Sequence, residues 1–491
     1  MLLLIFDKLR TMIKKILLGL MGAVAVLVVV LLFNTIRFSS IQSHEAALPA
    51  PEVTEKALTN FTGAINFKTI SFGDASQFDS TQFLAFHDYL EKTYPLVHTQ
   101  LKREKVKHFS LLYTWEGKNP QLKPVILMAH QDVVPIEEAS RNLWTVDPFA
   151  GIVKDNYIWG RGITDDKINL ISIMESVEKL LSQNFKPERT IYLAFGHDEE
   201  VGGYGAEAIA KLLQERKVQA ELVLDEGGII TKERIPNMTQ PVALLGTAEK
   251  GYMSLLLSVE KNGGHSSMPD KETSIDILSK ALVRLRANPF EAKFSQPTND
   301  FIRAIGPEMP FFERMVFANT WLFKGVLVGI YEKTGAGNAV VRTTLVPTII
   351  NAGIKDNVVP TIATAYVNLR LLPGDTGPDM KEQVVKIIDD PRVKVEYKNG
   401  FFTEASKVTD VNGSGFKTVA LAIQHTYPSV LISPLLMIGA TDSRKFEDVS
   451  ENIIKFSPMV DPIGFHGIDE RVSVESYKTS LWFYEQLIRG F

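Results

Sequence analysis

Apolar positions recur along the chain in three textures. The first is an unbroken apolar run, 16–33, preceded by Lys8, Arg10, Lys14 and Lys15. At 1.5 Å per residue a helix carries that run across roughly 27 Å, close to the thickness of a bilayer core. The run has no polar face, which argues against a buried helix of a soluble domain. Its basic flank keeps the first residues cytoplasmic and sends everything after Phe33 outside. This predicts an uncleaved single-pass membrane anchor with an extracytoplasmic domain. The competing reading is a cleaved signal peptide, whose apolar region is typically shorter, about 7–15 residues.

The second texture alternates short buried strands with helical spacing. Residues 123–130 (K-P-V-I-L-M-A-H), 189–197 (R-T-I-Y-L-A-F-G-H) and 220–225 (A-E-L-V-L-D) read as strands, and 168–181 and 206–216 as helices. Such alternation predicts an α/β fold, a mainly parallel sheet flanked by helices. From Gly251 the texture changes. Strands at 253–260 and 363–371 with helices at 274–287 and 380–389 suggest a smaller inserted α+β layer, after which the chain returns to the first domain. The organisation expected is a basic segment 1–15, an anchor 16–33, a tether 34–52 and a first domain made of 53–250 and 401–491, with 251–400 inserted. Within the insertion, 311–331 is rich in Phe, Trp, Leu and Val; it is read as a helical pair buried in a core or interface, with an acyl-chain pocket or a membrane contact as alternatives.

Composition narrows the partners. A formal net charge of −4 and a pI near 6.2 over 491 residues give no basic stripe for nucleic acid, so none is expected as a partner. The chain has no cysteine, leaving imidazole and carboxylate as the only strong metal ligands.

Those ligands fall in short Gly-rich contexts: His130 and Asp132 in M-A-H-Q-D, Asp165 in G-R-G-I-T-D-D-K, Glu199 and Glu200 in G-H-D-E-E-V-G-G, Asp225 in L-D-E-G-G, and His466 in F-H-G-I-D-E. Stretches ending in His130, Glu200 and Asp225 sit at the C-terminal ends of expected strands, where open α/β sheets place their sites. Two divalent ions bring +4, and Asp165, Glu200 and Asp225 supply −3, leaving room for one shared hydroxide. With Asp165 bridging, one ion would take His130 and Asp225 and the other Glu200 and His466. Asp132 lies two residues after His130, placed to accept the other imidazole N–H, and Glu199 is the natural general base. Asp166 and Asp198 are read as supporting residues, Asp166 as a helix cap.

In order, these motifs resemble the co-catalytic zinc metallopeptidases that include aminoacylase, carboxypeptidase G and carboxypeptidase S, and most resemble the branch of carboxypeptidase S and the N-fatty-acyl-amino-acid hydrolases. L-M-A-H-Q-D-V-V-P, G-G-H-S-S-M-P-D-K-E-T-S-I and I-G-A-T-D-S-R carry the likeness, over roughly 50–490. The resemblance implies a phosphorylase/hydrolase-like catalytic domain, a lid that also serves dimerisation, and the ligand and base roles just given. It adds His265, which would polarise the scissile carbonyl, and Arg370 in V-N-L-R-L-L-P-G-D, which would grip a substrate carboxylate. One departure is Ala440, where relatives often have Gly or Asn. The expectation is a metallo-amidohydrolase or carboxypeptidase with two zinc ions, manganese or cobalt being possible, acting on short peptides or N-acyl-amino acids, with hydrolysis or reverse synthesis of N-fatty-acyl-amino acids as the alternative and a homodimer as the leading assembly. A catalytically silent binding module is the alternative from another class; a missing ligand or base would be its mark, and every position is filled.

Overall fold

The computed structural model describes residues 2–43, 45–398 and 402–491. Helix α1 (Leu2–Arg37) contains the apolar run and continues past it. It is long and apolar enough to cross a membrane. After it come α2 (Glu55–Ile65), started by the Thr54 side chain accepting the Ala57 N–H, then α3 (Ser80–Thr93) and α4 (Pro95–Gln100).

The main sheet then begins with β1 (Lys102–Val106), β2 (Ser110–Trp115) and β3 (Val125–His130). A hairpin, β4 (Ile152–Lys154) and β5 (Tyr157–Trp159), leads to α5 (Ile168–Ser182), β6 (Ile191–Gly196), α6 (Tyr204–Glu215), β7 (Leu222–Thr231) and β8 (Val242–Glu249). All six residues of β3 are buried, as a central strand covered on both faces requires. Its side chains alternate between two cores. Val125, Leu127 and Ala129 face the core that includes residues of α2 and α5, while Ile126 and Met128 face Ala206, Ile209 and Leu213 of α6.

The inserted layer comprises β9 (Gly251–Glu260), β10 (Gly264–His265), α7 (Ser274–Ala287), α8 (Gln296–Ile305), α9 (Phe311–Ala318), α10 (Thr320–Tyr331), α11 (Gly335–Val341), β11 (Thr344–Ala352), β12 (Val358–Val359), β13 (Ile362–Leu371), α12 (Gly377–Ile388) and β14 (Val393–Tyr397). Its antiparallel sheet runs β11-β13-β9-β14. Met253, Leu255, Leu257 and Val259 of β9 point together into a core closed by α7 and α12, and the residues between them are half-buried. That strict alternation is the mark of a one-sided sheet, in contrast to β3.

The 251–400 stretch does not pack as one layer. Helix α8 turns back onto the main sheet, where Ala304 and Ile305 meet Val242 and Leu431. The pair at 311–331 is helical as expected, but it is not buried: α9 buries none of its residues and α10 only Leu327. The chain then returns through α13 (Ser414–Thr426), β15 (Leu431–Met437), β16 (Ile453–Val460), β17 (Arg471–Ser473) and α14 (Val474–Arg489).

Among the described residues the main sheet has eight strands in the order β1-β2-β6-β3-β7-β16-β8-β15. The pairs β6–β3, β3–β7, β7–β16 and β8–β15 are parallel, and the β1–β2–β6 edge is antiparallel. The expected α/β architecture is therefore present, as a mixed sheet of mostly parallel strands.

Residues far apart in sequence close the core. Phe61 of α2 stacks on Tyr477 of α14 with ring centroids 4.5 Å apart, and both are fully buried. Phe61→Ala is expected to cost about 3–5 kcal/mol through lost contact and the cavity left behind. Denaturant titration of the purified chain measures it, and a change below about 1 kcal/mol would show that α2 is not part of the cooperative core.

Candidate metal centre

Loops at one edge of the main sheet deliver the polar residues. Strand β3 ends on His130, β6 is followed at once by 197–200, β7 carries Asp225 and Glu226, and His466 lies between β16 and β17 with a left-handed backbone, φ +56°.

Asp165, in the buried segment Ile163–Lys167 ahead of α5, stands at the centre. Its Oδ1 is 2.7 Å from His130 Nε2 and its Oδ2 is 2.6 Å from His466 Nε2. Glu226 Oε1 lies 3.3 Å from His130 Nε2, and Glu200 Oε1 3.3 Å from His466 Nε2. Two groups thus share Asp165: His130, Asp165 and Glu226 on one side, Asp165, Glu200 and His466 on the other, each with ligand atoms within 4.8 Å of one another. Glu199 meets His130 and Glu200 within the same limit.

The hydrogen-bond arithmetic here calls for cations. His130 Nδ1 is 3.0 Å from the Asp132 carbonyl oxygen, which can only accept, so the ring proton sits on Nδ1. In a neutral ring, Nε2 then aims a lone pair at two carboxylates. Glu200 Oε1 is buried with no hydrogen-bond partner. A buried set of carboxylates and imidazoles without thiolates suits a divalent ion, so the residues fit a metal. The field of the protein points the same way. Burial opposes charge on His130, yet Glu226, Asp132 and Asp165 raise its pKa well above the ordinary value. Burial likewise pushes Asp165 up, but the two imidazoles hold it below the usual carboxylate range. Glu199 is pushed well up, first by burial and, against the pull of His130, by Asp442, Asp165 and Glu200.

Other acids hold the loops. Asp132 Oδ1 is 3.4 Å from His130 Nδ1, and its two oxygens accept the backbone N–H groups of Glu199 (3.1 Å) and Glu200 (3.2 Å), so it fixes the ring and the Glu-Glu turn together. Asp198 accepts the Gly205 N–H at the start of α6. Asp166 does not cap α5 as expected; it accepts from the His130 N–H (3.3 Å) and the Asn169 side chain (2.5 Å), because it is turned toward β3. At Gly203, with φ +66°, a Cβ would fall 1.8 Å from Asp442 Oδ1, so only glycine lets that acid approach the turn.

Asp225 is buried beside the cluster, but its Oδ2 accepts the Ser443 N–H at 2.8 Å, and the acid facing His130 is its neighbour Glu226. The cause is a bulge. On β16, Lys455 pairs with Asp225 and Phe456 with Gly228, so Glu226 and Gly227 are unpaired and the side-chain alternation shifts. The two glycines after Asp225-Glu226 were the only sequence sign of it.

A further buried acid ties two of these loops together. Glu470 is fully buried and accepts from Arg161 Nη1 (2.7 Å), the Gly162 and Thr164 N–H groups (3.0 and 2.8 Å) and the Thr164 hydroxyl (2.7 Å). Arg161 Nη2 also donates to the carbonyls of His466 (3.3 Å) and Gly467 (3.1 Å). This clamp joins the loop of Asp165 to that of His466 across some 300 residues. In sequence Glu470 looks like any solvated acid.

His265 and Arg370 stand apart from the cluster. His265 is exposed on β10, its Nδ1 accepting the Ser267 N–H at 3.2 Å. Arg370 on β13 lies over the Tyr252 ring, 4.7 Å from its centroid. The cleft above the cluster measures about 500 Å³ and is lined by Asp165, Glu199, Glu200, Glu226 and His466 with Met437, Ala440 and Phe465. Arg234 lines it too, and also borders a second cavity of about 540 Å³ walled by apolar residues of α8–α10.

Residues 126–490 match the model of peptidase family M20/M25/M40. The chain is 38% identical to a probable carboxypeptidase S-like 2 of Dictyostelium discoideum, covering 99% of this chain and 94% of that one. It is 37% identical to the human N-fatty-acyl-amino acid synthase/hydrolase PM20D1, over 87% of this chain and 86% of that one. In fold it is similar to an M20 family metallo-carboxypeptidase, Sso-CP2 of Sulfolobus solfataricus, with a TM-score of 0.62 at 17% identity, covering 89% of this chain and 99% of the other.

Glu470→Ala leaves Arg161 buried without its partner and is expected to cost about 3–5 kcal/mol. Thermal unfolding and metal binding check it together: stability should fall and metal affinity should weaken. Unchanged metal binding would show that the clamp does not position His466.

Proposed function

This chain belongs to peptidase family M20/M25/M40, and from that membership and the geometry of the cleft we propose a zinc-dependent amidohydrolase that cleaves an amide next to a free carboxylate. The observation that carries the reading is the Asp165 carboxylate, which offers one oxygen to each of two imidazoles with a second acid beside each. His130, Asp165 and the Asp225–Glu226 pair would hold one zinc ion, and Asp165, Glu200 and His466 the other; manganese or cobalt suits the same donors. Ions bound there supply Lewis acidity toward a carbonyl and make water easier to deprotonate.

The chain's own residues do the rest. Glu199, on the cleft wall, takes a proton from the attacking water on its carboxylate and returns it to the leaving nitrogen. Asp132 keeps His130 in one tautomer and holds the Glu199 backbone in place. Arg370 is assigned to the substrate carboxylate as a bidentate fork, and His265 to the carbonyl oxygen. Both sit on the inserted layer, so engaging the cleft calls for lid closure or for a second subunit of a homodimer. The N-terminal helix anchors the chain, with the catalytic part outside the cytoplasm.

Two substrate classes fit this chemistry, short peptides and N-acyl-amino acids. The apolar cavity that shares Arg234 with the lining of the cleft favours a long acyl chain on the second class.

Glu199→Ala should retain its metal and lose at least about a hundredfold in turnover; near-normal turnover would remove it as the base. The variant carrying both Asp225→Asn and Glu226→Gln should lose one of two metal equivalents, and the single variants apportion the ligand role. Full retention would take that pair out of the metal set. Turnover of a dipeptide against a long-chain N-acyl-amino acid decides the substrate, with the acyl compound expected to be preferred.

A further inference from the structure

Helix α10, TWLFKGVLVGIY, is apolar around almost its whole circumference. A helix of that kind belongs in a core or in lipid. Yet Leu327 is its only buried residue. Phe311 and Phe312 of α9 are 52% and 73% exposed, and Trp321 and Leu322 of α10 are 61% and 43% exposed.

What lies beside this face indicates what covers it. Asn319, buried at the joint between α9 and α10, accepts from Asn34 Nδ2 (2.8 Å) and donates to the Leu31 carbonyl (3.2 Å). Arg314 donates to the Phe38 carbonyl and Arg303 to that of Ser39, both at 2.8 Å. These bonds grip the end of α1, where its apolar run stops. The basic residues Lys8, Arg10, Lys14 and Lys15 lie at the other end of the run. If α1 spans a bilayer, its gripped end emerges at the far leaflet, the depth at which interfacial helices and Trp side chains sit.

We propose that α9–α10 is a membrane-seated surface whose exposed apolar side is occupied by the lipid of the leaflet from which α1 emerges. The pair and α1 then form one two-part footing that fixes the catalytic unit against the bilayer. The cavity walled by α8–α10 opens beside that footing, within reach of a substrate dissolved in lipid. The proposal rests on the reading of α1 as a spanning helix.

Because the chain has no cysteine, single-cysteine variants carry one spin label each. The full chain is reconstituted in phosphatidylcholine vesicles with labels at Phe311→Cys, Trp321→Cys or Leu322→Cys, at Leu20→Cys within α1, and at Ile354→Cys, a position 98% exposed on the inserted layer. Collision with a water-soluble nickel chelate should be about tenfold lower at 311, 321 and 322 than at 354, and collision with oxygen higher, as at Leu20. Nickel access at the three sites equal to that at 354, with Leu20 shielded, overturns the proposal and leaves the anchor standing. Access at Leu20 as well overturns both. Shielding from both reagents with dipolar broadening between copies would mean a second chain covers the face, which also overturns it.

Discussion

Carboxylates repel one another and lose hydration when they leave water, so a buried cluster of them forms only where the fold neutralises each one. Here Asp132, Asp165, Asp166, Glu199, Glu200, Asp225 and Glu226 crowd one edge of one sheet. Backbone N–H groups compensate Asp132 and Asp225, and an Asn side chain with the His130 N–H compensates Asp166. The acids left facing the two imidazoles have no such partners, and that residual negative charge suits a bound metal. The architecture follows from this need. Parallel strands end at a common edge and bring acids from separate segments to one point, and a return segment completes the set with His466.

The site is therefore only as well made as the joint between its two halves. Arg161 and Glu470 make that joint out of water, with the carboxylate accepting four hydrogen bonds and the guanidinium reaching the His466 carbonyl. A second joint lies where the main sheet passes into the inserted layer. Lys250, between β8 and β9, is buried and donates to the carbonyls of Ala339 and Arg342 at 2.7 Å, and burial brings its pKa down to about 7. Its neighbour Glu249 is fully buried and accepts from Thr441, in the wall of the cleft. The passage to the layer that bears His265 and Arg370 is thus tied to the cleft, and the layer beyond it is a separate core.

The helical excursion of the insertion has another logic. Its first helix packs on the main sheet and the next two bind the end of α1 while leaving their apolar sides uncovered. The excursion in this way touches both the main sheet and the end of the N-terminal helix.

Sequence alone was enough for the α/β class, the strand ends and the identity of most polar residues, because strand and helix periods are local and metal chemistry admits few residue types. His130, Asp165, Glu200 and His466 are brought to one cluster, and the strands read from the patterning, β3, β6, β7, β9 and β13, begin within two residues of where it put them; the other strands of both sheets carried no such reading. Tertiary structure alone decided three things: that Glu226 rather than Asp225 turns toward His130, that Glu470 is a buried clamp, and that the apolar pair at 311–331 lies outside the core. Each depends on contacts with residues far away in the chain, on a bulge against β16, on Arg161, and on α1. Which way a side chain faces, and what covers it, is settled by those distant neighbours, and the spacing of residues along the chain does not encode them.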